Sequence, residues 1–361
     1  MNLIKKAKNK LAASSYKDQA SLEITYKCNL RCKTCGLAKV AKEKGSQELN
    51  TEEWKRIIDE LFVLGRRRFT LIGAEPLVRP DVFDLITYIK DNGGHCSITT
   101  NALLLGKGDT AERLVRAGLD VMSVSIDGPD ESHDDIRGGT DVLAKVKDGI
   151  AKIIEARRRE ATSKPSIRVH TTVSAYNYDK LARMIPLAED LGTDELQFQY
   201  VSETPKEAVT ATRYRGDIIG SERFLSLNGS ALLSDGQIEL YGHNLAKIRS
   251  ANSKIAVRTG VLSALNEKNL RTGQFPMKTC RIVPGLITID PYGECVPCAH
   301  LDYSFGSVRD ESVRTVLNSE RYRDFCEAIK GKLFPVCAYC CSHVNNLTIG
   351  QLIKMGITGK L

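Results

Sequence analysis

Cys28, Cys32 and Cys35 stand in a C-x3-C-x2-C cluster directly after a short run in which Leu22, Ile24 and Tyr26 alternate with polar residues. The alternation reads as a strand of period two, so the chain delivers three thiols to one loop at a strand end. Three thiolates that close can ligate three irons of a [4Fe–4S] cube, because such clusters take cysteine thiolates. A structural cluster would want a fourth protein ligand. With three from the loop, one iron keeps an open site where a substrate or cofactor can bind directly. The spacing alone leaves open a structural zinc site or three unrelated buried thiols.

Between Thr51 and about Tyr200 the chain alternates amphipathic helices with short β-rich runs. Asn50 or Thr51 caps a helix that reaches Leu64, with Trp54, Ile57, Ile58, Leu61 and Phe62 on one face. Strands are expected over Arg68–Gly73, His95–Thr100, Asp120–Ile126, Ile167–Ser174 and Glu195–Val201, with helices over Pro80–Asn92, Asp109–Ala117, Val142–Arg158 and Asp179–Leu191. Repeated βα units joined by right-handed crossovers make a parallel sheet. Six strands are too few for a closed eight-stranded barrel. Residues 203–275 differ in texture, with two short helices expected near Tyr241–Ser250 and Val261–Arg271.

A second cysteine group occupies the tail. Gly285–Asp290 and Glu294–Pro297 flank a Pro-Tyr-Gly turn and read as a hairpin bringing Cys280 and Cys298 together. A helix over about Ser312–Ile329 leads to Cys337 and Cys340.

The strand-to-loop cysteine cluster resembles the signature of the radical S-adenosylmethionine (SAM) superfamily. That resemblance implies a partial (β/α)6 TIM-like barrel, with chemistry at the C-terminal ends of the strands. It also implies that the open iron chelates the amino and carboxylate groups of SAM, and that one electron then splits SAM into methionine and a 5′-deoxyadenosyl radical. Thr34 departs from the aromatic or apolar residue usual before the third cysteine. Gly73-Ala74-Glu75-Pro76 resembles the family's GGEP motif, whose backbone and Glu hold the SAM amino group. Ala in place of the second Gly is tolerable only at negative φ. Thr100, Asn101 and Ser125 resemble positions that contact the SAM carboxylate or ribose. Arg137, in His-Asp-Asp-Ile-Arg-Gly, reads by default as solvated loop charge.

The tail resembles the SPASM extension in its shortened twitch form, with Cys280, Cys298, Cys337 and Cys340 as four ligands of a second, fully ligated [4Fe–4S] cluster. Cys295 or Cys341 can replace a neighbouring ligand in this assignment, and a zinc ribbon is the alternative, since tetrahedral S4 suits both. The layout is similar to that of the aminocyclitol dehydrogenase of butirosin biosynthesis, with the same count between the first two auxiliary ligands. The implied division is an arm over residues 1–19, the partial barrel over 20–202, a substrate-covering linker over 203–275, the auxiliary-cluster domain over 276–345 and a tail over 346–361.

A cluster with no open site serves as an electron store, which points to hydrogen abstraction from a small hydroxylated metabolite, a sugar, aminocyclitol or nucleoside, followed by oxidation to a ketone. An epimerase with a cysteine hydrogen donor, a peptide maturase and a non-enzymatic metal-binding regulator are the alternatives. No general base or donor can be named, and His170 and His300 read as core-flanking. The eleven cysteines fall mostly in two clusters, which suits metal ligands kept reduced in a cytoplasm. A flavodoxin or ferredoxin-type electron donor is expected. Lys5, Lys6, Lys8, Lys10 and Lys17 lie in an N-terminus without a long apolar core, so no secretory signal is read there. No run approaches the ~18 apolar residues of a membrane span. The net charge of +8 is spread without interleaved aromatics, which argues against nucleic-acid binding.

Overall fold

The computed structural model describes residues 16–37, 47–225, 230–260, 262, 265–275, 277 and 279–340. Lys5 to Lys10, Cys341 and the tail over 346–361 lie outside these. The core is a partial α/β barrel whose parallel strands run β1 (Gln19–Thr25), β2 (Arg68–Gly73), β3 (His95–Thr100), β4 (Val121–Ser125), β5 (Ser166–Val173) and β6 (Glu195–Tyr200) in sequence order. A two-stranded hairpin, β7 (Arg213–Tyr214) and β8 (Asp217–Ile218), stands apart. Three further strands, β9 (Ala256–Arg258), β10 (Ile287–Ile289) and β11 (Cys295–Val296), complete a nine-stranded sheet at its two edges.

Strand β9, and the attachment of the expected tail hairpin to the barrel sheet, were not legible in the sequence. β9 pairs parallel with β6, so the linker expected to be helical contributes a strand to the barrel wall. β10 pairs parallel with β1 and antiparallel with β11. The cysteine-bearing hairpin therefore continues the barrel sheet, which covers the hydrogen-bonding edge that β1 would otherwise expose.

Local sequence explains most element ends. Asn50 accepts from the Glu53 amide at 3.0 Å while Glu53 returns to the Asn50 amide at 2.7 Å, a reciprocal cap for the helix Thr51–Val63. That helix buries Trp54, Ile57, Ile58 and Leu61. The helix expected over Asp179–Leu191 begins with a 3-10 turn at Leu181–Arg183 and is α-helical only over Met184–Asp190. Pro186 lacks an N–H and is tolerated only within the first turn. The expected helix Ser312–Ile329 splits into Val313–Leu317 and Glu320–Gly331, because Ser319 caps the second piece on the Tyr322 amide. Of Val261–Arg271, the end lies in a helix over Glu267–Thr272, and Val261, Ser263 and Ala264 lie outside the described residues.

The two faces of the sheet differ in chemistry. On β5, Ile167, Val169, Thr171 and Val173 are buried, whereas Ser166, Arg168, His170 and Thr172 are only partly covered. β6 repeats this with Leu196, Phe198 and Tyr200 buried and Gln197 and Gln199 partly covered. Closed barrels of this kind fill the interior with branched aliphatic side chains. Here much of the inward set is polar, and the interior is a chamber.

Candidate active site

The chamber has a volume of about 800 Å³ and is lined by residues of the first loop, of β2 to β6, and of β9. Cys28, Cys32 and Cys35 share it with Gly73, Ala74, Thr100, Asn101, Ser123, Ser125 and Thr34. The sequence-derived cysteines and most of the SAM-motif residues are thus brought to one opening.

The cysteine loop is clamped by backbone contacts that leave no space for side chains. The Lys33 amide donates to the Ile136 carbonyl at 2.9 Å. Gly138, at φ +68°, passes so close that an added Cβ would lie 2.4 Å from the Arg31 carbonyl oxygen. Next to Cys35, a Cβ on Gly36 would lie 2.6 Å from the Arg223 carbonyl oxygen. Arg223 itself forms a buried ion pair with Glu23 at 2.8 Å, and the Tyr26 hydroxyl donates to the same carboxylate at 2.6 Å. The linker is therefore anchored on β1 beneath the loop.

The second strand ends as its sequence requires. A Cβ on Gly73, whose φ is +132°, would lie 2.2 Å from the Thr25 carbonyl oxygen, so only glycine lets β1 and β2 close here. Ala74 is not among the residues with positive φ, and its amide donates to Thr25 at 2.8 Å. Glu75 and Pro76, by contrast, are absent from the chamber wall. The Glu75 carboxylate is buried and accepts from the Thr100 hydroxyl at 2.7 Å, the Asn101 amide at 2.7 Å and the Leu77 amide at 3.0 Å. Burial raises its pKa, and these donors oppose the rise. Its carboxylate serves to hold Thr100 and Asn101 at the rim. Asn101 in turn donates to Asn29 in the cysteine loop at 2.7 Å.

Arg137 is not a solvated charge. It is 14% exposed, pairs with Asp127 at 2.8 Å, and lies 4.0 Å from Cys32 Sγ. Asp127 also accepts from the Thr172 amide at 2.8 Å, and the Asp127 amide donates to His133 Nδ1 at 3.0 Å. The Asp-Gly turn read from the sequence is thus the anchor of a guanidinium beside the thiols. Burial pushes the Cys28 and Cys32 thiols up, opposed by the Leu30 amide at Cys28 and by Arg137 at Cys32. Metal binding draws the proton from such a thiol, so the loop suits a metal-thiolate ligand set.

The tail cysteines sit on the continued sheet edge and beyond it. Burial raises the Cys280 thiol against backbone donors at Ile282 and Val283. Burial and the neighbouring Cys280 push Cys337 to about 12. Cys340 lies one 3-10 turn further, its amide donating to the Cys337 carbonyl at 3.3 Å. Cys298 follows β11 and is partly covered, whereas Cys295 within β11 is buried and its thiol is pushed up to about 12 by burial. Among the described residues no three His, Cys, Asp or Glu side chains converge as one metal ion requires. A zinc ion draws its ligands to about 2.3 Å, while a [4Fe–4S] cube takes one thiolate at each iron.

Sequence reading missed the deeper chamber wall. Arg168, His170, Thr172, Gln197, Gln199 and Arg258 all line it. The signal was present in β5, where Arg, His and Thr alternate with Ile and Val. His170 is therefore a chamber residue; burial holds its pKa below the usual imidazole value. His300 is buried elsewhere, stacked on Phe224 with ring centres 4.2 Å apart.

Comparison with known proteins agrees with this geometry. Residues 22–188 match the radical SAM superfamily, and residues 280–342 match the SPASM iron–sulfur cluster-binding domain. The chain is 28% identical over 333 residues to an AdoMet-dependent heme synthase of Methanosarcina barkeri, covering 88% of this chain and 87% of that protein. It is 29% identical over 176 residues to a PqqA peptide cyclase of Bradyrhizobium diazoefficiens, covering 49% of this chain and 44% of the relative. The crystal structure of Streptococcus suis SuiB bound to S-adenosylmethionine superposes with a TM-score of 0.63 at 16% identity, over 96% of this chain and 77% of SuiB. The chain carries a radical SAM domain followed by a SPASM domain, and these imply S-adenosylmethionine and two [4Fe–4S] clusters as its cofactors.

Proposed function

We propose that the protein is a cytoplasmic radical SAM oxidoreductase that removes a hydrogen atom from a carbinol carbon of a small hydroxylated metabolite held in the chamber, whose hydroxyl then gives its proton to solvent as one electron passes to the auxiliary cluster, leaving a ketone. When bound, the two clusters and SAM supply a carbon-centred radical at one end of the reaction and an electron acceptor at the other. The observation that carries this reading is the polar chamber opening directly onto Cys28, Cys32 and Cys35. Those cysteines would hold the first cluster; Cys280, Cys298, Cys337 and Cys340 would hold the second.

The remaining work falls to the chain. Ser123, Ser125 and Asn101 offer hydrogen-bonding side chains in the chamber that the thiols share, beside Gly73 and Ala74. Leu30, Leu37, Phe198 and Leu262 add apolar wall that limits water around a reactive carbon. An epimerase needs a hydrogen donor, and Cys96, Cys295 and Cys326 are buried away from the chamber wall. Among the described residues that leaves no spare thiol in the chamber, and Cys341, the fourth candidate donor, lies outside them.

A peptide substrate is the second reading, favoured by the peptide cyclase relative and by the solved complex of SuiB with its precursor peptide SuiA. An electron donor of the flavodoxin or ferredoxin type completes the proposal. The test is anaerobic reconstitution with iron and sulfide, then reductant and SAM. About eight irons and release of 5′-deoxyadenosine are expected. Tight metal binding without SAM cleavage would overturn the reading in favour of a regulator. With a substrate library, a ketone product supports the small-metabolite form, and a cross-linked or oxidised peptide supports the second.

A further inference from the structure

A charged side chain reaches one sulfur of the cysteine loop. Arg137 Nη1 lies 4.0 Å from Cys32 Sγ, while its Nη2 lies 2.8 Å from Asp127 Oδ2. Cys28 Sγ takes neutral donors instead, the Leu30 amide at 3.4 Å and the Asn101 side-chain amide at 3.9 Å. The other cations around the loop are held by other partners: Arg31 by the Cys28 and Leu30 carbonyls, Lys33 by Asp135 at 2.6 Å, and Arg223 by Glu23 at 2.8 Å. The three cysteines therefore do not share one electrostatic setting.

The fold fixes Arg137 from several sides. It is the last residue of the short helix Ser132–Arg137, and Gly138 then turns at φ +68° against the Arg31 carbonyl. The Lys33 amide holds the same helix end through the Ile136 carbonyl at 2.9 Å. Asp127 is gripped in turn. Its carboxylate accepts from the Thr172 amide at 2.8 Å, its amide donates to His133 Nδ1 at 3.0 Å, and its carbonyl accepts from Asn177 at 2.7 Å. Both charges are buried, so salt and water screen them little. Burial works to lower the Arg137 pKa, but Asp127 and Cys32 raise it overall, so the guanidinium stays charged. At Cys32 the pull of Arg137 is stronger than the opposing push of Asp127. The pair acts there as a fixed dipole with its positive end on the sulfur.

We propose that Arg137, oriented by Asp127, sets the reduction potential of the first cluster by holding a positive charge against its Cys32 ligand. This rests on the radical-enzyme reading above, in which one electron enters at that cluster. The added electron makes the thiolate-bound cluster more negative, and a neighbouring cation favours that state over the oxidised one. Cluster potentials follow net charge, hydrogen bonds to sulfur and burial, and Arg137 supplies all three at Cys32. Asp127 has two opposed effects, holding the guanidinium in place and offsetting part of its charge. Arg137 acts through Cys32, so it is a positioning residue. Its consequence is a first cluster that a weaker reductant can reach.

The experiment is an anaerobic potentiometric titration of reconstituted holoenzyme without SAM, followed by electron paramagnetic resonance. Protein with Cys28, Cys32 and Cys35 all replaced by alanine supplies the auxiliary signal, which is subtracted and should keep one potential in every variant. Arg137→Gln should shift the first cluster's equilibrium against the reduced form roughly 10- to 100-fold. That is about 59–118 mV downward, at about 59 mV per tenfold step for one electron. Arg137→Lys should fall less. Asp127→Asn should raise the potential, and Arg137→Gln/Asp127→Asn should lie between Arg137→Gln and the wild type. A pair that only braced the loop would move Arg137→Gln and Asp127→Asn in the same direction. An unchanged potential in Arg137→Gln, or a lowered one in Asp127→Asn, overturns the assignment. If Arg137→Gln fails to hold its cluster, Arg137→Lys and the double variant decide, and either one at or above the wild-type potential overturns it. Release of 5′-deoxyadenosine from the wild type, with SAM and reductant, is read in parallel. Release with equal potentials in all variants sinks this inference alone, and the expected order of potentials without release sinks the radical-enzyme reading.

Discussion

Replacing Arg137 by leucine tests whether the guanidinium beside the thiols is held by a buried pair. The wild-type contact to Asp127 is 2.8 Å, with the two side chains 14% and 2% exposed. Arg137→Leu leaves the Asp127 carboxylate in a protein interior with the Thr172 amide, at 2.8 Å, as its remaining side-chain partner. Removing one member of a buried pair costs about 3–5 kcal/mol, because the survivor is left uncompensated. Against total stabilities of about 5–15 kcal/mol, that is a large fraction. Asp127→Asn keeps an acceptor for the Thr172 amide but removes the charge, so Arg137→Leu/Asp127→Asn should recover much of the loss. A favourable coupling of roughly 2–3 kcal/mol is expected. Urea unfolding followed by circular dichroism, on cluster-free and reconstituted protein, measures all four corners of the cycle. A cost below about 1 kcal/mol for Arg137→Leu, the range of an exposed bridge, would refute the reasoning.

Acid should destabilise the fold through His133. Burial, and then repulsion from Arg137, pull its pKa down to about 3. The unfolded imidazole takes its proton near pH ~6.5, so stability is complete above that pH and drains as the pH falls toward 3. The loss at pH 5 should reach about 2 kcal/mol, and His133→Gln should flatten the profile between pH 7 and 5. Gly138→Ala should force the Arg31 loop outward, since the new Cβ would lie 2.4 Å from a carbonyl oxygen at a φ of +68°. Faster iron loss from the first cluster, with the auxiliary cluster retained, is the signature in a chelator challenge. Replacing Cys28, Cys32 and Cys35 together by alanine should leave about four of about eight irons, and the same protein should release no 5′-deoxyadenosine.

Cysteine spacing and strand periodicity were enough to locate the three-cysteine loop and the six core strands, while Gly73, Ala74, Thr100, Asn101 and Ser125 at the rim were reached through the family resemblance. Both are local patterns: three thiols on one loop stay together whatever the rest of the chain does, and alternation marks a strand wherever it packs. The role of Glu75 was not local. Its neighbours in sequence suggested a ligand contact, but its partners, Thr100 and Asn101, arrive from β3. The same holds for Arg137, whose burial depends on Asp127 and on the cysteine loop folding over it.

By itself the sequence determined that a three-cysteine loop would sit at the end of a strand, and that a second thiol set would follow in the tail. Only the tertiary structure decided what faces the loop. Arg168, Glu195 and Arg258 come from three separate strands, and their meeting follows from parallel register between β5, β6 and β9. Strand β9 comprises only Ala256–Arg258 within a stretch that otherwise reads as helix and loop. Its pairing with β6, a long-range backbone contact with no sequence signature of its own, brings Arg258 to the chamber wall.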